Sequence, residues 1–87
     1  MDTVRVYAHP RCKDVKRTMR FLVVNNVPYE YINIDLSQEA QKFVSETNHG
    51  LMSVPTIVFP DGSILVEPNN IVLSEKIKAL RKSGFVL

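Results

Sequence analysis

The sequence predicts an α/β protein, a mixed four-stranded sheet flanked by three helices in the order β-α-β-α-β-β-α. Three observations predict it. Apolar residues switch along the chain between strand-like runs and the i, i+4, i+7 spacing of a helix face. The strand-helix-strand order of the first half implies parallel strands joined by a right-handed crossover. Finally, Pro60-Asp61-Gly62-Ser63 between two β-rich runs marks a late antiparallel hairpin. With 87 residues, 45% hydrophobic and 23% charged, residues 1–87 are expected to form one ordinary globular domain.

Val4, Val6 and Ala8 alternate with Arg5 and Tyr7 as a first strand, stopped by His9-Pro10. From Lys13 to Asn26 the positions Val15, Met19, Leu22 and Val23 make a helical apolar face, with Lys16, Arg17 and Arg20 opposite. Asn25-Asn26-Val27-Pro28 ends that helix, since Asn suits a C-terminal cap and the residue before proline avoids the helical region. The second strand runs from Tyr29 to Ile34, bounded by Asp35. Ser37 then reads as an N-cap with Glu39 in the first turn, giving a helix to about Thr47 that Asn48-His49-Gly50 closes. Thr56 to Phe59 and Ile64 to Val66 are the hairpin strands, and Leu73, Ile77 and Leu80 are the buried face of a last helix ending before Gly84. The basic residues on the first and last helices read as solvated faces.

Eleven basic against nine acidic residues leave a net charge of +2, too little for the dense basic stripe of a nucleic-acid binder. The apolar runs are far shorter than a membrane span needs, and the N-terminal residues lack the pattern of a secretion signal. The sequence therefore predicts neither nucleic acid nor membrane as partner. The single cysteine, Cys12, cannot form an internal bridge, so any disulfide is with another molecule. An unstapled small chain with one thiol is expected in a reducing compartment, the cytoplasm.

Cys12 stands in Pro10-Arg11-Cys12-Lys13-Asp14-Val15, between the first strand and the first helix. Unpaired first-turn N–H groups and the positive end of the helix dipole favour a thiolate there, and Arg11 and Lys13 add positive charge, which Asp14 opposes. A buried, inert cysteine is the plainer alternative, less suited to a cationic strand-to-helix turn. Pro55, in Ser53-Val54-Pro55-Thr56, is expected at the first residue of a strand or in a tight turn because it cannot donate to a sheet ladder.

Taken together, Val4-Arg5-Val6-Tyr7, the loop carrying Cys12, the basic helix, Val27-Pro28-Tyr29-Glu30 and the run from Val54-Pro55-Thr56 to Pro60-Asp61-Gly62 resemble a glutaredoxin. More narrowly, the chain is similar to the small bacterial glutaredoxin-like proteins that include mycoredoxin and NrdH-type redoxins. The resemblance implies the thioredoxin fold, a cis Pro55 facing Cys12, and thiol–disulfide chemistry with Cys12 as the catalytic nucleophile. It departs from the family at Cys12-Lys13-Asp14-Val15, where Val15 replaces the second cysteine of Cys-Pro-Tyr-Cys. A dithiol mechanism within the chain is thereby excluded and a monothiol one remains.

The resemblance further implies glutathione or another low-molecular-weight thiol as co-substrate, with no tightly bound cofactor, and S-thiolated or oxidised proteins as partners of a monomer. A Cys12-linked dimer is chemically open. The substrate-binding positions are His9, Arg11, Lys13, Val54, Pro55, Asn69 and Asn70. His9 replaces the family's lysine, Asn69 and Asn70 its acidic pair, and Arg11 and Lys13 supply charge in place of that lysine. Two other readings compete. One is a non-catalytic binding module; the other, suggested by His9-Pro10-Arg11-Cys12 and the basic residues that follow, is an arsenate reductase or Spx-like protein, for which the chain lacks the added helical segment and downstream arginines. His9-x-x-Cys12 falls two ligands short of a metal site, and Lys13-Asp14-Val15 does not resemble the cluster-binding Cys-Gly-Phe-Ser.

Overall fold

The computed structural model describes residues 2–87. Strand β1 spans Val4–Ala8, helix α1 Lys13–Val24, strand β2 Tyr29–Asn33, helix α2 Gln38–Thr47, strands β3 and β4 Thr56–Val58 and Ile64–Val66, and helix α3 Asn70–Lys82. The sheet order is β2-β1-β3-β4. β1 and β2 are parallel, in register Val4 to Tyr29 through Ala8 to Asn33. β3 runs antiparallel to β1, with Tyr7 opposite Thr56, and β4 antiparallel to β3.

This is the predicted mixed sheet, and its two faces follow from strand alternation. Tyr7 stacks on Phe43 of α2 with ring centroids 4.6 Å apart, so α2 covers the face that also carries Arg5 and Thr56. Val4, Val6 and Ala8 point to the other face, where α1 and α3 contribute Val15, Leu22, Leu73, Ile77 and Leu80 to the core. α1 and α3 are also tied side by side: Arg81 donates to the Asn25 carbonyl at 3.0 Å.

The helix ends are chemically specified. Ser37 Oγ accepts from the Ala40 N–H and Asn69 Oδ1 from the Val72 N–H, as N-caps should. Past α1, α2 and α3 the chain turns through positive φ at Asn26, His49 and Gly84 respectively.

Four expectations are corrected. Val23 is 58% exposed and Thr18 is buried instead, because the face against the sheet follows Val15, Thr18 and Leu22, with Met19 half-buried beside them. β2 stops at Asn33 because the Asn33 side chain accepts from the Asp35 N–H, winding Ile34–Leu36 into a 3-10 turn. β3 stops at Val58, since Phe59 already closes the hairpin turn, donating to the Ser63 carbonyl and accepting from Gly62. Lastly, not all helix cations are solvated. Arg17 holds the Pro68 carbonyl at 2.9 Å and the Asn70 side chain, Lys76 pairs with Asp61 at 2.8 Å, and Arg81 spans Asn25 and Leu87.

Candidate functional site

Because β1 and β3 are antiparallel and paired up to Tyr7 and Thr56, the segment after β1 and the segment before β3 leave the sheet at the same end. The first carries His9, Arg11 and Cys12; the second carries Val54 and Pro55. The topology alone thus gathers most of the residues singled out from sequence.

Cys12 is the N-cap residue of α1, in extended conformation with φ −92° and ψ 127°. Its carbonyl accepts from the Lys16 N–H, but no side chain caps the helix. The first-turn N–H groups are therefore open to an external acceptor, beside a half-buried thiol that packs on the edge of the core. Val15, one turn on, is buried in that core. Cys12 is a free thiol with no second sulfhydryl in the chain.

The Val54–Pro55 peptide bond is cis and both residues are buried. Among the described residues neither the N–H nor the C=O of Val54 takes a backbone partner, while the Pro55 carbonyl accepts from Glu67, whose φ is 50°. Two residues that the sequence marks only as element ends brace this segment. Thr56 Oγ1 donates to the Ser53 carbonyl at 2.7 Å and accepts from Asn48 Nδ2 at 3.1 Å, linking the end of α2 to the loop. Asn48 had read only as a helix stop, so its tertiary partner had no sequence signal.

The polar residues divide between two depressions on either side of the cysteine segment. His9 and Arg11 line one of about 330 Å³ with Ile34, Asp35, Gln41 and Met52. There the Arg11 guanidinium grips Asp35 through both nitrogens, the second at 3.2 Å. This pairing holds the Asp35 carboxyl below, and the guanidinium above, its ordinary range. The sequence marks Asp35 only as a strand end, and nothing local identifies it as the partner of Arg11, 24 residues away. His9 Nδ1 is buried without a hydrogen-bond partner among the described residues.

Asn69 and Asn70 line the other depression, about 460 Å³, with Asp14, Arg17, Glu67 and Ile71. Both asparagine oxygens already accept, Asn69 from Val72 N–H and Asn70 from Arg17. Lys13 is exposed on the first turn of α1, without an ion-pair partner among the described residues. Among those residues no three His, Cys, Asp or Glu side chains group as metal ligands would, and no helix is long and apolar enough to cross a membrane.

A scan against protein families matches residues 4–64 to glutaredoxin. Mycoredoxin 1 of Corynebacterium glutamicum is 30% identical over 80 residues, spanning 92% of this chain and 99% of that protein. Among solved structures, the glutaredoxin grx-1 of Archaeoglobus fulgidus superposes with a TM-score of 0.70 at 32% identity, covering 88% of this chain and 87% of its own. The thioredoxin-like protein BC3987 superposes with a TM-score of 0.72 at 26% identity, over 83% and 96% of the two chains. The fold is that of the thioredoxin-like proteins.

Proposed function

The chain belongs to the glutaredoxin family, and from that premise we propose that it is a monothiol thiol–disulfide oxidoreductase acting on mixed disulfides between proteins and a small thiol such as glutathione. The observation that carries the reading is the lone Cys12 thiol at the uncapped start of α1, with Val15 buried one turn on. A thiolate at this position lies at the positive end of the helix dipole.

In the first step the Cys12 thiolate attacks the glutathionyl sulfur of the mixed disulfide. A Cys12–glutathione disulfide forms and the protein thiolate leaves, taking a proton from solvent. In the second, a glutathione thiolate attacks the glutathionyl sulfur bound to Cys12, releasing oxidised glutathione and restoring the Cys12 thiolate. The net reaction converts one mixed disulfide and one glutathione into one protein thiol and one oxidised glutathione. The chain never needs a second sulfur of its own.

The binding roles follow from what each residue leaves free. The open N–H and C=O of Val54 accept an extended thiol peptide as a short ladder, held in place by the buried Pro55. Lys13 offers a free charge for a carboxylate. Arg11 acts from one depression, beside His9, and Asn69 and Asn70 from the other, each of these three through what its internal partner leaves available.

That internal pairing favours a second reading, a non-catalytic module that presents the Cys12–Pro55 end of the sheet to a partner. Arg11 is neutralised by Asp35, and Asn70 is occupied by Arg17. Turnover separates the two. Wild-type protein with glutathione should reduce a glutathionylated peptide, and Cys12→Ser should abolish the reaction. Equal rates for both proteins would overturn the oxidoreductase reading.

A further inference from the structure

Charge is strongly segregated in this chain. α1 and α3 carry eight of the eleven basic residues and two of the nine acidic ones, a net +6, which leaves −4 on the remainder of a chain whose total is +2. The two helices adjoin on one face of the sheet: Phe21 and Asn25 of α1 line a shared cleft with Ser74, Ile77, Lys78 and Arg81 of α3. Only Arg17 and Lys76 of the eight cations lie within ion-pair distance of a carboxylate among the described residues. Lys13, Lys16 and Arg20 recur along one side of α1 at i, i+3 and i+7, and Lys78, Arg81 and Lys82 mark α3, all exposed.

We propose that the α1–α3 face is a docking surface for an acidic protein partner. Like charges gathered on two adjoining helices repel one another, screened over roughly 8 Å at physiological salt, and an acidic surface relieves that repulsion. The composition of the face favours a protein over the other polyanions. Val23 and Val24 are exposed beside the cations, giving apolar contacts a protein can match. The exposed aromatics, Tyr29 and Tyr31, lie on β2, so α1 and α3 offer no exposed ring on which bases could stack. The face also ends at Cys12, so a partner seated along α1 has its nearest segment beside the thiol.

The test is fluorescence anisotropy of the reduced full chain with a short labelled peptide rich in Glu and Val, at physiological ionic strength. Its Lys-for-Glu counterpart, duplex DNA and phosphatidylserine vesicles serve as comparison probes. The acidic peptide should bind best, and combined Lys16→Glu, Arg20→Glu and Lys78→Glu should weaken it about tenfold or more, with Lys42→Glu on α2 having little effect. Unchanged far-ultraviolet circular dichroism and thermal midpoint of the triple variant show that the fold persists. Equal binding of acidic and basic peptides, or no response to the triple reversal, would overturn the proposal, as would tighter binding of DNA or vesicles. The readout involves no redox step, so loss of Cys12 chemistry leaves it standing.

Discussion

Thr18 and Thr56 are both fully buried, yet the same isosteric change should move stability in opposite directions. Thr56 Oγ1 makes two hydrogen bonds, to the Ser53 carbonyl at 2.7 Å and from Asn48 Nδ2 at 3.1 Å. Valine preserves the shape but leaves that carbonyl and one amide proton without partners. At about 1 kcal/mol for each bond lost, Thr56→Val should cost about 2 kcal/mol. For a chain of this size that corresponds to a thermal midpoint lower by roughly 8–16 °C. Thr18 Oγ1 has no hydrogen-bond partner among the described residues. Removing an unsatisfied buried hydroxyl recovers its desolvation cost, so Thr18→Val should raise stability by about 1 kcal/mol, or roughly 4–8 °C. Paired urea and thermal unfolding curves read both changes. Shifts of the same sign and size would refute the assignment of bonded and unbonded hydroxyls.

Three further outcomes are expected. Val15→Cys restores a thiol one turn from Cys12 and should give an internal disulfide under mild oxidation, read as the loss of two free thiols in a monomer; failure to oxidise would count against α1 beginning at Lys13. Asp35 and Asp61 hold their protons less tightly folded than unfolded, through Arg11 in one case and Lys76 with Ser63 in the other. Their contribution is therefore complete above the ordinary carboxylate range near pH 4 and is lost as pH falls through the depressed folded values. Arg11→Gln and Lys76→Met should each flatten the acid limb of stability against pH measured by urea unfolding, with little change at pH about 7 in that slope. Replacing Arg17 by Met should destabilise the chain by about 1 kcal/mol and speed hydrogen exchange at Asn69 to Val72, because the Pro68 carbonyl and Asn70 lose their link to α1.

The fold was legible because local signals agreed with one another. Ser37, the Pro60 to Ser63 turn and the spacing of Leu73, Ile77 and Leu80 each marked an element that the structure contains. Cys12 could be placed at a strand-to-helix turn for the same reason. Partners remote in sequence were not legible. Arg17 and Asn70 lie 53 residues apart, and Arg11 and Asp35 lie 24 apart. A guanidinium bound to a distant carbonyl has the same local pattern as one in water. The Thr18 position was missed because its hydroxyl marks it as polar, while helix geometry places it between Val15 and Leu22 on the buried stripe.

On the proposed mechanism one sulfur in the chain suffices, the second arriving from outside. Intact mass measured after incubation with oxidised glutathione, and again after adding excess glutathione, tests it most directly. A single glutathionyl adduct that Cys12→Ser lacks, and that the second thiol removes, is the predicted result. A wild-type chain that stays unmodified, or an adduct that glutathione cannot release, would contradict it.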